Sequence, residues 1–392
     1  MPSKTGINNQ NLKYQNRGLI LQLIATGNEI SRIELSKRSG LTKMSVTNII
    51  SEFIDRHLVR ETGPDRAVTP GRTPIYLDIS PDAPKVIGVL INRDSCSAVL
   101  CDLKLHMLAL ETADISHCDS SRLLDILFGL VDKVKEQASG PIAGIGIASL
   151  GPVDTVNGII LNPTNFYGIN NIPIVRIFEK CYGVPAYLDN NYDCAALAER
   201  FYGIGRSYED FIFLGVTNGI GSGIISGGQL YHNAAGYGSE LGHTSIDYNG
   251  NLCACGNRGC LETYASASII QQQLREATQK YLTFREFCTD PSHPAIAPIL
   301  SDMTDKISSA LINAVNLLNP QAIILGHEAV YLPDENVAQM EEHINAIKLA
   351  KDYHIPVLRS HFGDNAQLLG STCCVLNGIF RGSSRVGELF FG

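Results

Sequence analysis

The sequence predicts an α/β protein headed by a winged helix-turn-helix, and three observations carry that prediction. Short helical periods with capping residues run from Asn11 to Ile54 and give way to two β-like runs. Beyond Ser80–Pro84, strand-like and helical runs alternate in two successive sets, the pattern of an α/β body with two lobes and a cleft. The charge is split as well: Met1–Pro74 carries 11 Lys and Arg against 6 Asp and Glu, and the remainder carries 20 against 33. A basic head on an acidic body suits a chain that meets phosphates at one end only.

In the head, Leu12, Leu19, Ile20, Leu23 and Ile24 recur at helical spacing, and Gly27 and Asn28 end that helix. Ser31-Arg-Ile-Glu34 has the form of a capping box and opens a second helix to about Ser39. Gly40 supplies the turn and Thr42 caps a third helix, whose expected core stripe is Met44, Val46, Ile49, Ile50, Phe53 and Ile54. That leaves Lys43, Ser45, Thr47 and Asn48 exposed near its N-terminus. A cation, hydroxyls and an amide there fit the major groove of double-stranded DNA, together with Ser31 and Arg32 at the preceding helix. Leu58–Thr62 and Ile75–Asp78 are the wing strands, and the loop between them offers Arg66 and Arg72 to the backbone or minor groove. A three-helix protein-interaction module is the competing reading.

Ser80–Pro84 reads as a linker into the body. The first set of elements comprises strands at Val86–Ile91, Ser97–Cys101 and Ile142–Ala148, a helix at Arg122–Gln137, and Ala186–Leu188 leading into a helix through Arg200. The second comprises a hairpin from Phe211–Val216 and Gly223–Ile225, a helix at Ser301–Leu318 and a strand at Ala322–Leu325.

With 392 residues, 44% of them hydrophobic, the chain is too apolar to be disordered and large enough for two or three packed units. No apolar run is long enough to span a membrane and the first residues are polar, so a cytoplasmic protein with no membrane partner is expected. Eleven cysteines are an odd number, and three of them cluster at Cys253, Cys255 and Cys260. With His243 they make one imidazole and three thiolates, a complete tetrahedral set for a structural zinc ion, and the intervening glycines permit a tight knuckle. A cluster of reduced buried thiols is the alternative.

Gly236-Tyr-Gly-Ser-Glu240-Leu-Gly-His243 followed by Cys253-Ala-Cys-Gly-Asn-Arg-Gly-Cys260-Leu-Glu262-Thr-Tyr-Ala-Ser266 resembles the signature of the ROK family of repressors, open reading frames and sugar kinases. Gly144–Asp154, Asn162–Pro173 and Asn313–Gly326 also resemble family segments, and the head resembles that of the repressor branch. The resemblance implies an actin-like, ribonuclease-H-like pair of lobes. On it, residues 1–79 are the DNA-binding head, and 80–190 are the first lobe, completed by a C-terminal helix at 372–392. Residues 191–371 are the second lobe, with the zinc loop. Asn165, Asn190, Glu240, His243 and Glu262 would touch sugar hydroxyls, which amides and carboxylates engage with two atoms each. His243 would serve zinc through one ring nitrogen and sugar through the other.

The family kinases carry Asp-x-Gly-Gly-Thr where this chain has Leu90-Ile-Asn92-Arg93-Asp94. Gly219, Gly221 and Gly223 of the second phosphate segment remain, with Asn218 where Thr is usual, and a Gly-Gly pair reads Gly326-His327. The Glu-Asn-Asp that carries the catalytic base reads Asp189-Asn190-Asn191. Asn191 cannot take a proton from a sugar hydroxyl but can still hydrogen-bond one. The expectation is therefore a repressor of carbohydrate-metabolism genes that binds no ATP and catalyses no phosphoryl transfer. A sugar or sugar derivative would be its effector and a homodimer or homotetramer its assembly, the sugar closing the cleft and moving the paired heads on a palindromic operator. A sugar kinase with an added DNA-binding module is the alternative, and a repressor controlled by a protein partner is a third reading.

Overall fold

The computed structural model describes residues 9–63, 75–163, 166–233, 236–289, 292–383, 387 and 390–391. Internal contacts divide the chain into two units: residues 1–147, 173–188 and 371–392 form one, and 148–172 with 189–370 form the other.

The first unit begins with α1 (Asn9–Ala25), β1 (Ile30–Ser31), α2 (Arg32–Ser39), α3 (Lys43–Asp55), β2 (Val59–Thr62) and β3 (Tyr76–Ile79). Ser31 Oγ accepts from Glu34 N at 3.3 Å and Thr42 Oγ1 from Ser45 N at 3.1 Å, so each hydroxyl satisfies a backbone donor that its helix cannot. Between them Gly40, at φ 72°, turns the chain and donates to Ser36 O. Val46, Ile49, Ile50 and Phe53 are buried, each stabilising the head by roughly 1.5–3 kcal/mol. Met44 is not part of that stripe. It is 70% exposed, because on α3 it lies one position from Lys43 on the outward side. Ile54 is only half-buried. The three strands form an antiparallel sheet in the order β1-β3-β2, with Ile30 opposite Leu77 and Val59 opposite Ile79. The two-residue β1 is too short to show a period in the sequence, and Ile75 stays outside β3.

Ser80–Pro84 is a packed turn rather than a free linker. Ala83 is buried and donates to Ser80 O, and the buried Lys85 donates from Nζ to Pro81 O at 2.7 Å and Ala83 O at 2.5 Å. Lys104 Nζ also meets Asp78 Oδ1 of β3 at 2.8 Å, joining the head to the body of the same unit.

β4 (Lys85–Ile91), β5 (Ser95–Cys101), β6 (Met107–Asp114), α4 (Ser120–Glu136), β7 (Ile142–Ser149), β8 (Val153–Asp154), β9 (Ile159–Ile160), α5 (Ile174–Tyr182) and β10 (Ala186–Asn190) come next. The main sheet is ordered β10-β7-β4-β5-β6. α6 (Asn191–Tyr202), β11 (Phe211–Val216), β12 (Ile220–Ser226), β13 (Gln229–Leu230), α7 (Glu262–Ala265), α8 (Ala267–Thr278), α9 (Phe284–Thr289), α10 (Ile296–Leu318), β14 (Ala322–His327), α11 (Asp334–Ile347), β15 (Val357–Arg359) and α12 (Ala366–Phe380) complete the order. The second main sheet runs β13-β12-β11-β14-β15. Counted along the chain, both sheets place their strands third, second, first, fourth, fifth, so one topology is used twice. In the second, β11 pairs antiparallel with β12 and parallel with β14, and β14 parallel with β15. Its core joins Leu214, Leu261, Phe287, Ile307 and Ile344.

Two close approaches decide how segments are shared. A Cβ on Gly146 of β7 would fall 1.8 Å from Ser371 O and one on Gly88 of β4 2.1 Å from Ser371 Oγ, so these glycines let α12 lie directly on the first sheet. Ala148–Ile172, which the sequence reading put in the first lobe, groups with the second unit. Thr155 donates from Oγ1 to Gly236 O at 2.8 Å and fastens that segment there. No helix of the described residues is long and apolar enough to cross a membrane.

Candidate functional site

In the head, Lys43, Thr47 and Asn48 stand on the outward face of α3 with Met44. Ser45 is half-buried, its hydroxyl 2.9 Å from that of Thr42, and Thr47 Oγ1 donates to Lys43 O at 2.8 Å. Ser31 is spent as a cap, and Arg32 is paired through a 2.7 Å contact with Glu61 on β2. The cap expected at Ser31 is therefore present, and the ion pair ties Arg32 to the wing strand. Arg17 of α1 grips Glu52 of α3 with Nε at 2.9 and 3.1 Å from the two carboxylate oxygens, fixing the angle at which α3 is presented. Arg66 and Arg72 lie outside the described residues, and so does Asn165.

The other candidate residues belong to the second unit. Glu240 and His243 flank one short 3₁₀ turn, with His243 N donating to Glu240 O at 3.0 Å. Glu262 opens α7. His243 Nδ1 lies 3.6 Å from Cys253 Sγ, and Cys255 Sγ lies 3.7 Å from Cys260 Sγ. All four donor atoms fall within 4.8 Å of one another. Metal–sulfur bonds of about 2.3 Å in a tetrahedron put sulfurs ~3.8 Å apart, so these separations fit the edges of a tetrahedron around a metal ion. The knuckle that sets them is held by Cys253 N donating to Asn257 O at 2.8 Å and by Gly256 and Gly259, both at positive φ. Burial pushes the Cys253 thiol up to about 12 and also raises Cys260, whereas the Asn257 backbone N–H lowers Cys255. The residues fit a tetrahedral ion with four protein ligands and no open position, one that would hold the loop in place.

Glu262 is drawn into this cluster, its Oε1 3.2 Å from Cys253 Sγ and 3.4 Å from His243 Nδ1. Its other oxygen faces Gly219, where a Cβ would come within 3.3 Å. A metal ion bound at Nδ1 of His243 would leave its Nε2 protonated, as a donor. Asn190, at the end of β10, caps α6 by accepting from Tyr192 N at 2.9 Å through Oδ1. The cap engages its carbonyl oxygen and not its amide NH₂. A Cβ on Gly151 would meet that nitrogen at 2.8 Å and Glu240 Oε1 at 3.2 Å, so Gly151 keeps an amide and a carboxylate open on one small space. The sequence reading did not single out Gly151. Glu240 has exposed surface, yet the protein around it desolvates its carboxyl and raises its pKa, against the lowering by His243. Asn191 is buried in the first turn of α6.

Four further residues lie beside these and were not singled out as site residues. Asp189 and Asp193 are buried and His232 sits beside them, its Nε2 2.9 and 3.0 Å from the two Asp189 oxygens. The four-residue spacing of the aspartates is visible in the sequence, but nothing local announces His232. Tyr192, the fourth, lays its ring on Gly221 of β12 and Gly215 of β11: a Cβ on Gly221 would fall 2.0 Å from the ring, and one on Gly215 2.3 Å. The Tyr192 hydroxyl meets Thr217 Oγ1 at 3.0 Å and its ring meets His327 edge-on. Of the glycines that the resemblance assigns to phosphate, Gly221 therefore accommodates an aromatic ring, whereas Gly219 faces Glu262 and Gly223 faces the Tyr192 backbone. Leu90 and Ile91 are strand residues of β4, and Asn92 closes the turn to β5 by donating to Ser95 O at 2.9 Å.

The family model described as the ROK family matches residues 86–377. The chain is 30% identical over 387 residues to the xylose repressor of Caldicellulosiruptor bescii, across 93% of this chain and 96% of that protein. A crystal structure of a ROK family transcriptional regulator, a homologue of the E. coli MLC protein, is similar with a TM-score of 0.81 at 26% identity, covering 96% of this chain and 100% of the other. The ROK hexokinase of Thermus thermophilus is similar with a TM-score of 0.64 at 27% identity, over 74% of this chain and 97% of the enzyme. The mixed α/β body is thus the fold shared by such regulators and by sugar kinases, and the chain belongs to the ROK family.

Proposed function

We propose that this chain is a sugar-responsive, DNA-binding transcriptional repressor of carbohydrate-metabolism genes. The observation that carries the reading is one of coverage. Likeness to the xylose repressor runs over 93% of the chain, whereas likeness to the hexokinase runs over 74%. α2, α3, β2 and β3 act as a winged helix-turn-helix on double-stranded operator DNA, with Lys43, Thr47 and Asn48 facing the groove. Arg66 and Arg72 serve the wing. A sugar or sugar derivative binds at Asn165, Asn190, Asn191, Glu240, His243 and Glu262. A zinc ion on His243, Cys253, Cys255 and Cys260 ties that pocket to its loop. Occupancy shifts operator affinity in a cytoplasmic homodimer or homotetramer.

Phosphoryl transfer is not part of this function. Asn191 offers no base, the phosphate-loop segment reads Leu90–Asp94 without its glycines, and His327 stands where the family has a second glycine. The test is binding of the zinc-loaded protein to its own promoter-region DNA at stated salt, across a panel of sugars and sugar phosphates, with ATP followed in the same samples. Specific binding altered by one sugar without ATP loss is the expected result. Sugar-dependent ATP consumption would replace this reading with a kinase.

A further inference from the structure

Asp193 lies in the first turn of α6, is fully buried, and has no hydrogen-bond partner at either carboxylate oxygen among the described residues. Asp189, one helical turn earlier in sequence, and His232, which follows β13, face it. One donor atom from each of the three lies within 4.8 Å of the others. Both carboxylates are acceptors when ionised, so neither satisfies the other, and the dipole at the start of α6 offsets only part of the cost of burying Asp193. A Cβ on Gly238 would fall 2.3 Å from Asp193 Oδ2, so that glycine brings the backbone close over the carboxylate and closes the site on that side.

Two carboxylates and one neutral imidazole carry a charge of minus two, which a divalent cation cancels. The donors are of borderline hardness, suiting manganese, iron or zinc better than the all-oxygen coordination that calcium prefers. The 2.9 and 3.0 Å separations between His232 Nε2 and the Asp189 oxygens also match neighbouring vertices of a coordination shell with bonds of about 2.1 Å. His232 keeps 28% of its side chain exposed, which provides a way in from solvent.

We propose that Asp189, Asp193 and His232 bind a divalent transition-metal ion, separate from the thiolate cluster and next to Asn190. This rests on the geometry of the three side chains and not on the identity of the effector. The experiment uses the full chain, stripped with chelator, reloaded with one equivalent of ZnCl₂ to fill the thiolate site, then titrated with MnCl₂ and, separately, with further ZnCl₂. Manganese is followed by loss of the free-ion electron paramagnetic resonance signal and total metal by mass spectrometry. Two ions per chain are expected, falling to one in Asp193→Asn and in His232→Gln while the thiolate-bound zinc is retained. A wild-type chain that takes no second equivalent of either ion overturns the proposal, leaving a shared proton to settle the two carboxylates. A second ion that persists in both folded variants overturns it equally.

Discussion

The ring of Tyr192 lies so close over Gly221 that a Cβ at the glycine would stand 2.0 Å from the Cδ2 atom of the tyrosine. Tyr192 is fully enclosed, and burial raises its phenol pKa to about 12, so the contact is part of the core of the second unit. Gly221→Ala is expected to destabilise the protein by about 1–3 kcal/mol through overpacking, despite the better strand propensity of Ala. Chemical denaturation measures this. An unchanged midpoint would mean that Tyr192 does not need the glycine.

His327 occupies a strained backbone at φ 54° and is buried, and burial lowers its pKa to about 4 from 6.5. Because the folded value is depressed, the unfolded chain binds the extra proton between those values. Stability should therefore fall as pH drops from 6.5 towards 4, by about 3 kcal/mol from this residue. His327→Leu keeps the strained position and should flatten that part of the stability–pH profile. Parallel profiles for the two proteins would contradict the assignment.

Glu262 reaches both His243 and Cys253 without being one of the four tetrahedral donors. Removing its charge in Glu262→Gln should weaken metal binding by about 10–100-fold, the usual effect of disturbing a group that orients the ligands. Competition with a chromophoric chelator reads this directly. Cys255→Ser should go further and release the ion altogether.

On α3, Lys43 and Asn48 are both exposed but are expected to fail differently. Lys43→Ala should weaken binding to every DNA sequence alike and reduce the slope of log affinity against log salt by about one. Asn48→Ala should cost about 1–3 kcal/mol on the operator and little on non-specific DNA. Titrations at several salt concentrations separate the two.

Phe391 stacks on Phe53 of α3 at 5.9 Å and on Tyr14 of α1 at 6.5 Å, tying the C-terminal end of the chain to the head. Phe391→Ala is expected to cost about 3–5 kcal/mol. The loss should show first as faster hydrogen exchange in α1 and α3, while the second unit keeps its protection.

Features that depend on neighbours in sequence were legible along the chain. The caps at Ser31 and Thr42 and the turn at Gly40 are set by groups three or four residues away, and the thiolate set comes from spacing within one short loop. Met44 misled because its one-residue offset from the buried stripe is within the error of a periodic reading. The ion pair of Arg32 could not be foreseen because its partner Glu61 is on a different element. Asn190 was read as a sugar ligand, and only the fold reveals that its carbonyl is already used as a cap.

Residue chemistry and short-range hydrogen bonding were enough to specify the α/β class, the helical head, the His243–Cys253–Cys255–Cys260 donor set and the absence of a carboxylate at Asn191. It took the folded chain to show that Asp189, Asp193 and His232 meet, that Gly221 and Gly215 make room for Tyr192, and that Phe391 packs on α1 and α3. Those are contacts between side chains far apart in sequence. Sheet order and close packing set them, and a linear pattern carries no record of which buried surfaces will face each other.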